Sequence, residues 1–320
     1  MKGLPKDTVD ILAAAWRTGT KKQYMTYIKQ WKQFCGLKSV NYLHVEIESV
    51  LDFLTYLFSE RQLSYSAINT ARSALATFLV IGNGTHTVGT HPLIIKFMRG
   101  VFNLRPTKPR YKEIWDVTLV LNYLRKLSPA KSLSLKNLTL KLVMLIALIS
   151  AQRVQSLHLL SLDNLHMKNN KAVFVIDQLL KHSRPGNAGK ILDLQAYPVD
   201  RRLCVLTYLK QYINATQELR GDEKHLLISY TKPHKRISTQ TVSRWIKTTL
   251  AAAGIDVNVY KAHSTRAAAT SAAHKLDVPV AEVLEAAGWS KELTFRKYYK
   301  KPVLNTKQFS SALLSCSKEK

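Results

Sequence analysis

The chain has 320 residues, and 46% of them are hydrophobic, which is enough to bury a sizeable core and excludes a wholly disordered protein. Its 48 lysines and arginines outnumber the 21 aspartates and glutamates, which gives a formal net charge of +27. A basic protein with a core of this size is expected to bind a polyanion, and nucleic acid is the commonest one.

Cysteine usage and hydropathy narrow the class of protein further. Cys35, Cys204 and Cys316 lie far apart with no CxxC pair, which excludes a disulfide scaffold and a thiolate zinc site. The longest apolar run, 142–149, is too short to span a bilayer, and residues 1–10 lack an apolar signal region. We therefore expect a soluble intracellular protein that does not engage a membrane.

Helices dominate the first hundred residues, where apolar side chains recur every three or four positions, the spacing of one helical face. Gly82-Asn83-Gly84 is a chain breaker after the third segment, and Pro92 suits the first turn of a fourth. Four helices with short loops predict a small helical bundle over residues 1–104. The predicted helical segments are 20–36, 45–58, 65–81 and 91–101.

The segment 105–112 differs in composition, since it holds two prolines, four basic residues and no acidic one. Prolines keep a chain extended, so we interpret this segment as a linker whose cations contact phosphates. A solvated surface loop is the alternative interpretation. The four basic residues are Arg105, Lys108, Arg110 and Lys112.

Residues 113–320 are predicted to form a mainly helical domain that carries one small antiparallel sheet. The segment 135–150 is apolar nearly all round, so we expect a central helix there. Strand-like composition at 171–176 and 190–194, on either side of a Pro-Gly-Asn-Ala-Gly loop, predicts a β-hairpin. Further helices are predicted at 117–127, 200–215, 238–253, 263–276, 280–287 and 292–300.

Several nucleotide and metal motifs are absent from the sequence: GxxxxGKS/T, GxGxxG after a strand, and HExxH. A two-metal nuclease needs clustered carboxylates, yet residues 224–255 contain six Lys or Arg and no carboxylate. The spacing of Asp163, Asp177 and Asp193 matches no metal-binding pattern. We therefore expect any chemistry on phosphodiesters to need neither a metal nor another cofactor.

Two places in the chain carry candidate phosphate ligands. Arg153 directly follows the most apolar predicted helix, where it must find an anion or another polar partner; complementing the helix dipole is the alternative. His263 and Arg266 form an HxxR pair, and residues three apart on a helix face the same way. Such pairs arise often by chance in a chain with 48 basic residues and ten histidines.

The order of the candidate residues is more specific than any one of them. An arginine, a lysine of a hairpin, HxxR, Gly-Trp and a tyrosine about ten residues later together resemble the tyrosine recombinase (phage integrase) superfamily. The resemblance covers nearly the whole chain. Within the superfamily, the chain looks like the recombinases of eukaryotic mobile elements, particularly those of DIRS-like retrotransposons. The segments that carry it are AQRVQSLHLLSL, LLKHSRPG, HSTRAAATSAA and GWSKELTFRKYYKKP.

The resemblance implies a helical core-binding domain, a basic linker, and a mixed α/β catalytic domain of the DNA breaking-rejoining type at 113–320. The implied activity is site-specific recombination through a 3′-phosphotyrosine intermediate, without metal or ATP, for integration or excision of a mobile element. The implied partners are double-stranded DNA and further copies of the chain, a dimer on one site and a homotetramer on paired sites. The tail after Pro302 would dock on a neighbouring subunit or, alternatively, pack on its own domain. Nuclear localisation follows from the DNA substrate.

The resemblance also assigns roles within the phosphate site. Arg153 and Arg266 match the two family arginines that neutralise non-bridging oxygens of the scissile phosphate. Trp289 takes the position where an indole N–H donates one hydrogen bond to that phosphate, although a core aromatic is the structural alternative.

Proton transfer is assigned in the same way. His263 matches the histidine that manages the proton of the nucleophile. Lys181 matches the hairpin lysine that protonates the leaving 5′ oxygen, and Lys171 at the other end of the first strand is its rival.

The nucleophile lies among two adjacent tyrosines. A nine-residue step from Trp289, common in the bacterial and phage branch, selects Tyr298, whereas the eukaryotic pattern TFxxFY selects Tyr299. Neighbouring residues of a helix point about 100° apart, so only one of them can attack in line. We favour Tyr299.

DNA binding is expected to extend well beyond the reacting phosphate. The bundle and the catalytic domain, joined by the basic linker, could close around duplex DNA as a clamp whose affinity falls with salt. Helices at 20–36, 65–80 and 238–253 are candidates for the major groove. Outside the linker, the predicted DNA-binding cations are Lys235, Arg236 and Arg244.

Three other functions compete with recombination. A decayed relative would bind DNA without cutting it, and a type IB topoisomerase-like enzyme would relax DNA through the same phosphotyrosine chemistry. A metal-dependent integrase is disfavoured by the scarcity of carboxylates. The presence of every expected catalytic residue type argues against decay.

Overall fold

The computed structural model describes residues 5–81, 86–108, 110–181, 183 and 189–303. The chain divides into two compact units, and the division follows Lys108, inside the predicted linker at 105–112. Every helix in the described ranges is too short or too polar to cross a membrane.

The first unit is a helical bundle with one short hairpin. Its elements are α1 (Lys6–Ala14), α2 (Thr18–Leu37), α3 (Ile47–Ser59), α4 (Tyr65–Leu75), β1 (Val80–Ile81), β2 (His86–Thr87) and α5 (Pro92–Leu104). Trp31 of α2 is fully buried, and its ring meets Phe53 of α3 edge-on at 5.2 Å between centroids. The indole N–H of Trp31 donates to the carbonyl oxygen of Tyr42 at 2.9 Å, so this large side chain fixes the centre of the bundle.

Two details of this unit differ from the sequence prediction. The helix predicted over 65–81 ends at Leu75, and β1 then pairs antiparallel with β2. Leu75 and Leu79 are buried four residues apart, and half-buried Phe78 lies three residues before buried Ile81, so these spacings imitate a continuing helical stripe. Helix α1 was not predicted; it has nine residues and buries none of them. The breaker at 82–84 lies outside the described residues.

The second unit is a helical domain with a three-stranded antiparallel sheet in the order β3-β4-β5. The first part contains α6 (Val117–Lys126), a 3-10 turn (Ala130–Ser132), α7 (Leu135–Ser150), α8 (Val154–His158), β3 (Leu165–Met167), β4 (Lys171–Ile176) and β5 (Lys190–Gln195). The second part contains α9 (Val205–Thr216), α10 (Thr239–Ala252), α11 (Ser264–Lys275), α12 (Val280–Ala287) and α13 (Glu292–Tyr298).

Helix α7 is the centre of this unit, as its all-round apolar sequence predicts. It packs against α8, α9, α10 and α11, and its bounds are those predicted. The Ser134 hydroxyl accepts from the N–H of Asn137 at 3.3 Å and caps its first turn. It ends at Ala151, whose φ of 47° lies in the left-handed region. The chain therefore turns sharply there, and Arg153 becomes the N-cap of α8.

The hairpin of β4 and β5 is also confirmed, with Ile176 opposite Lys190 beside the loop and Lys171 opposite Gln195 at the far end. The helix predicted at 200–215 begins only at Val205, because the Asp200 carboxylate accepts from the side chains of Arg125 and Arg202 in a turn. The short elements α8 and β3 were not predicted. The predicted fold class, mainly helical with small antiparallel sheets, is confirmed.

Candidate active site

Helix α11 carries the HxxR pair into the centre of the candidate site. His263 is the residue that precedes the helix, and Arg266 lies in its first turn, only 2% exposed. Ala267 and Ala268 are buried beside the arginine. Small side chains let this helix pack closely against its neighbours, so Arg266 is held deep in the unit rather than extended into solvent.

Arg266 is buried with much of its hydrogen-bonding capacity unused. Its Nη2 donates to the carbonyl oxygen of Ala287 at 3.0 Å, but Nε and Nη1 are buried without a partner among the described residues. Burial and the nearby charge of Arg153 lower its pKa to about 10, an effect that Tyr299 partly opposes. Since a buried donor normally finds an acceptor, these two nitrogens are suited to bind an anion.

Trp289 forms one wall of the same pocket. It is 8% exposed and follows Gly288, whose φ of 66° is the left-handed conformation that ends α12 and favours glycine. The Cζ atom of Arg266 lies 5.0 Å from the indole ring centroid. The indole N–H is buried and has no hydrogen-bond partner within the described chain, so it is a third donor available in this pocket.

Of the two adjacent tyrosines, Tyr299 enters the pocket and Tyr298 points away from it. The Tyr299 hydroxyl lies 3.0 Å from Nε2 of His263, and its ring centroid lies 4.2 Å from that of Trp289. Tyr298 is 60% exposed. Fully buried Phe295, stacked at 5.8 Å on Trp289, anchors α13 and sets this choice of face. The geometry therefore favours the TFxxFY register.

The electrostatic environment of His263 shows which cations converge on the pocket. Burial of much of the ring and, after it, four nearby positive charges together lower the pKa of His263 to about 4. At neutral pH the imidazole is therefore uncharged, and Nε2 can accept a proton from the adjacent phenol. The four charges belong to Arg266, Arg153, Arg110 and Lys181.

Arg153 and Lys181 are brought together by α8. The backbone N–H of Lys181 donates to the Gln155 side-chain oxygen at 3.3 Å, and Gln155 lies two residues after Arg153. Lys181 itself is exposed. Its rival Lys171 forms an ion pair with Asp193 at 3.0 Å, at the end of the hairpin away from the loop. The position of Lys181 thus fits the predicted role better.

Lys190 is a pocket residue that the sequence analysis missed. Its amine donates to the carbonyl oxygen of Glu285 at 3.1 Å, and burial is the main cause of its lowered pKa. The Glu285 carboxylate opposes this shift, while the charge of Arg266 adds to it. The available signal was its place as the first residue of the second predicted strand, directly after the loop.

The predicted DNA-binding cations fall into two groups. The guanidinium of Arg105 donates to the carbonyl oxygens of Leu63 and Phe58 and to the side chain of Gln62. These bonds hold Arg105 against the chain at and just after the end of α3, and its phosphate-binding role stays a prediction. The cations that are exposed, and therefore open to phosphates, are Lys108, Arg110, Lys112, Lys235, Arg236 and Arg244.

The outward face of α10 lines an open groove of about 610 Å³. Arg244 and Lys247 lie along it together with Gln240, and Val154 brings it next to Arg153. Polar and cationic side chains at this helical spacing suit contact with nucleic acid. In the described ranges, no group of three or more His, Cys, Asp or Glu side chains is arranged to hold a metal ion.

Sequence comparison assigns both units to one family. The Phage integrase family matches residues 120–303, and the N-terminal SAM-like domain of phage integrases matches residues 10–80. No curated protein matches the chain.

Three solved structures of site-specific recombinases and integrases have the same fold as this chain. A XerH site-specific recombinase bound to a palindromic difH substrate is 14% identical with a TM-score of 0.58, over 86% of this chain and 73% of that one. The Tn1549 transposon integrase in complex with transposon right-end DNA is 13% identical with a TM-score of 0.58, over 94% of each chain. A lambda integrase dimer bound to a COC′ core site is 14% identical with a TM-score of 0.55, over 91% of this chain and 92% of that one.

At such identities the likeness establishes the fold, and it confirms the predicted breaking-rejoining architecture. The family match by itself spans more than half of the sequence. The chain belongs to the phage integrase family, the tyrosine recombinases.

Proposed function

We propose that this recombinase cleaves and rejoins double-stranded DNA at specific sites through a 3′-phosphotyrosine intermediate. One observation carries the proposal: the Tyr299 hydroxyl lies 3.0 Å from Nε2 of His263, beside the two unpaired buried N–H groups of Arg266. Nucleophile, base and anion-binding donors therefore surround one position, as in-line attack on a phosphate requires.

The proposed step transfers two protons. As the Tyr299 oxygen bonds to phosphorus, its proton passes to Nε2 of His263, and the P–O5′ bond breaks. Lys181 donates a proton to the departing oxygen, which leaves a phosphotyrosine ester and a free 5′ hydroxyl. Because the ester keeps the energy of the original phosphodiester, a 5′ hydroxyl from another strand can reverse the step without ATP or metal.

The positive charges around the pocket make the strength of the proposed base depend on whether DNA is bound. Arg153, Arg266 and Trp289 would hold the non-bridging oxygens and stabilise the charge that grows on them. A bound phosphate also offsets the positive charges that lower the pKa of His263, so the base becomes stronger when DNA is in place. The free protein would thus keep a weak base, and the complex a competent one.

The biological setting is proposed from similar proteins and from the charge of the chain. The solved structures named above hold recombinases and integrases on DNA, one of them as a dimer. The net charge of +27 favours binding to duplex DNA. From the resemblance to the family, the chain would bind as a dimer on one site and as a homotetramer on paired sites. The tail at 304–320, proposed to join subunits, lies outside the described residues. Mobile-element DNA in a eukaryotic nucleus is the proposed target.

A nicked suicide substrate tests the proposal directly. Incubation in EDTA should give a covalent protein–DNA adduct, and Tyr299→Phe should abolish it with folding and DNA binding intact, because only a hydroxyl is lost. Tyr298→Phe is the matched control and should keep most of the activity. No adduct would leave a DNA-binding protein or a metal-dependent enzyme, and relaxation without exchanged strands would indicate a topoisomerase. An adduct on Tyr298 would restore the nine-residue register.

A further inference from the structure

A buried hydroxyl joins the helix of the HxxR pair to the chain that carries Tyr299. Ser271 of α11 is 5% exposed, and its Oγ donates to the carbonyl oxygen of Tyr299 at 2.8 Å. The same Oγ accepts from the backbone N–H of Lys301 at 3.1 Å. One serine therefore holds the backbone of Tyr299 and of Lys301, the two residues that flank Lys300. It acts at the residue that carries the tyrosine side chain.

This fastening matters because α13 is short and Tyr299 lies beyond its end. The helix has seven residues, and Phe295 is the one it buries. Tyr299 lies just beyond its last turn, with a backbone φ of −121° that is no longer helical. Further along, the N–H of Ile114 donates to the carbonyl oxygen of Pro302 at 2.8 Å. The segment 299–302 is thus tied to its own unit at two points, and Ser271 is the one adjacent to the tyrosine.

The choice of residue type at this position supports a role for the hydroxyl. Helix α11 is rich in alanine, with Ala at 267, 268, 269, 272 and 273. Alanine favours a helix more than serine does, so Ser271 is not explained by helix formation. The hydroxyl instead forms hydrogen bonds with backbone groups of another segment. Its neighbour Thr270 is buried to a similar degree, but its Oγ1 donates within α11, to the carbonyl oxygen of Arg266 at 2.7 Å.

We propose that Ser271 is a positioning residue for the cleavage reaction, which delivers Tyr299 to His263 and Arg266 of the same chain. This inference rests on the proposed function. Tyr299 forms the bond to phosphorus as the P–O5′ bond breaks, its proton passes to His263, and Lys181 protonates the leaving oxygen. Ser271 takes no part in these transfers. It fixes the backbone from which the attacking oxygen extends, and so fixes the direction of attack.

Ser271→Ala and Thr270→Val form a matched pair, since each removes one buried hydroxyl from α11. We expect Ser271→Ala to slow adduct formation on saturating suicide substrate by about ten- to a hundredfold, the scale of a small misplacement of reacting groups. DNA affinity should stay at the wild-type value, and the melting temperature should fall no further than in Thr270→Val. Thr270→Val should react within about twofold of wild type, because its hydroxyl bonds only its own helix.

Amide hydrogen exchange gives a readout that a general weakening of the fold would not reproduce. In Ser271→Ala, peptides covering 296–303 should exchange faster, while peptides covering 264–275 stay protected. Faster exchange across α11 would mean a folding role and would overturn the inference. So would a wild-type rate of adduct formation in Ser271→Ala. Failure of the wild-type protein itself to form any adduct would instead refute the proposed function, and the inference with it.

Discussion

Two buried cations in the second unit show how the same fold treats a structural and a functional charge. Lys141 lies in the centre of α7 with no exposed surface, and Arg266 lies in α11 with 2% exposed. Burial lowers the pKa of both, that of Lys141 to about 7 and that of Arg266 to about 10. They differ in what surrounds their N–H groups.

Every hydrogen-bond donor of the Lys141 amine has a partner. Its Nζ donates to the carbonyl oxygens of Leu124 and Leu127 at 2.7 and 2.6 Å, and it lies 3.7 Å above the ring centroid of Tyr208. Three donors thus meet two carbonyls and one aromatic face, which caps the end of α6. Nothing is left for a ligand to bind.

The surroundings of Arg266 are incomplete. Two of its N–H groups and the indole N–H of Trp289 are buried without an acceptor in the described structure. Leaving a buried donor unpaired costs about 1–3 kcal/mol, so a fold keeps such groups only where something else requires them. These two cations therefore differ in the satisfaction of their donors rather than in burial, and the unsatisfied donors of Arg266 are the ones that the proposed function uses.

Removing Arg266 should have the largest effect. Arg266→Ala should slow adduct formation by about 10²–10³-fold or more, because the donors for the developing charge are lost. Binding of a long DNA should weaken far less, since many other phosphate contacts remain. Single-turnover cleavage and filter binding measure the two effects. Equal losses in a variant that melts like wild type would break the distinction between the two cations.

The pH dependence of cleavage tests whether His263 accepts the proton of the phenol. Protonated His263 cannot accept the phenol proton, so kcat/KM should fall as pH drops through the pKa of the free enzyme, about 4. The profile should therefore show no inflection near 6.5, the ordinary histidine value. Replacing Arg153 by glutamine removes a nearby charge and should move the acid limb to higher pH. An inflection near 6.5 in the wild-type profile would contradict this picture.

Lys141 should give the smallest effect on activity and a specific effect on stability. Its folded pKa is lowered to about 7, so between pH 7 and 10.5 the unfolded chain binds more protons. The free energy of unfolding should then rise with pH across that window, by about 1 kcal/mol per unit. Lys141→Met should lose this slope in urea titrations and keep its cleavage rate. A cleavage defect in a folded Lys141→Met protein would give this cation a role beyond the core.

The sequence predicted the architecture where a long apolar pattern was present. Helix α7 and strand β4 have the predicted bounds, because most of α7 is buried and β4 is apolar throughout after Lys171, and both patterns are visible in the sequence. Helix α1 and strand β3 were missed, since short or unburied elements leave no periodic signal. The helix predicted at 65–81 was too long because buried residues in a turn and a strand happened to keep helical spacing.

Sequence alone determined the family and the residue types of the site. The order of Arg153, HxxR, Gly-Trp and the tyrosine pair along the chain can be recognised without a three-dimensional structure. It favoured Tyr299 over Tyr298 on a motif comparison without any contact to support the choice, and it missed Lys190. Tertiary structure decided these points: stacking of Phe295 on Trp289 turns Tyr299 toward His263, and the hairpin carries Lys190 to α12. Such choices depend on contacts between segments far apart in the chain, where spacing along the sequence carries no information about distance or direction.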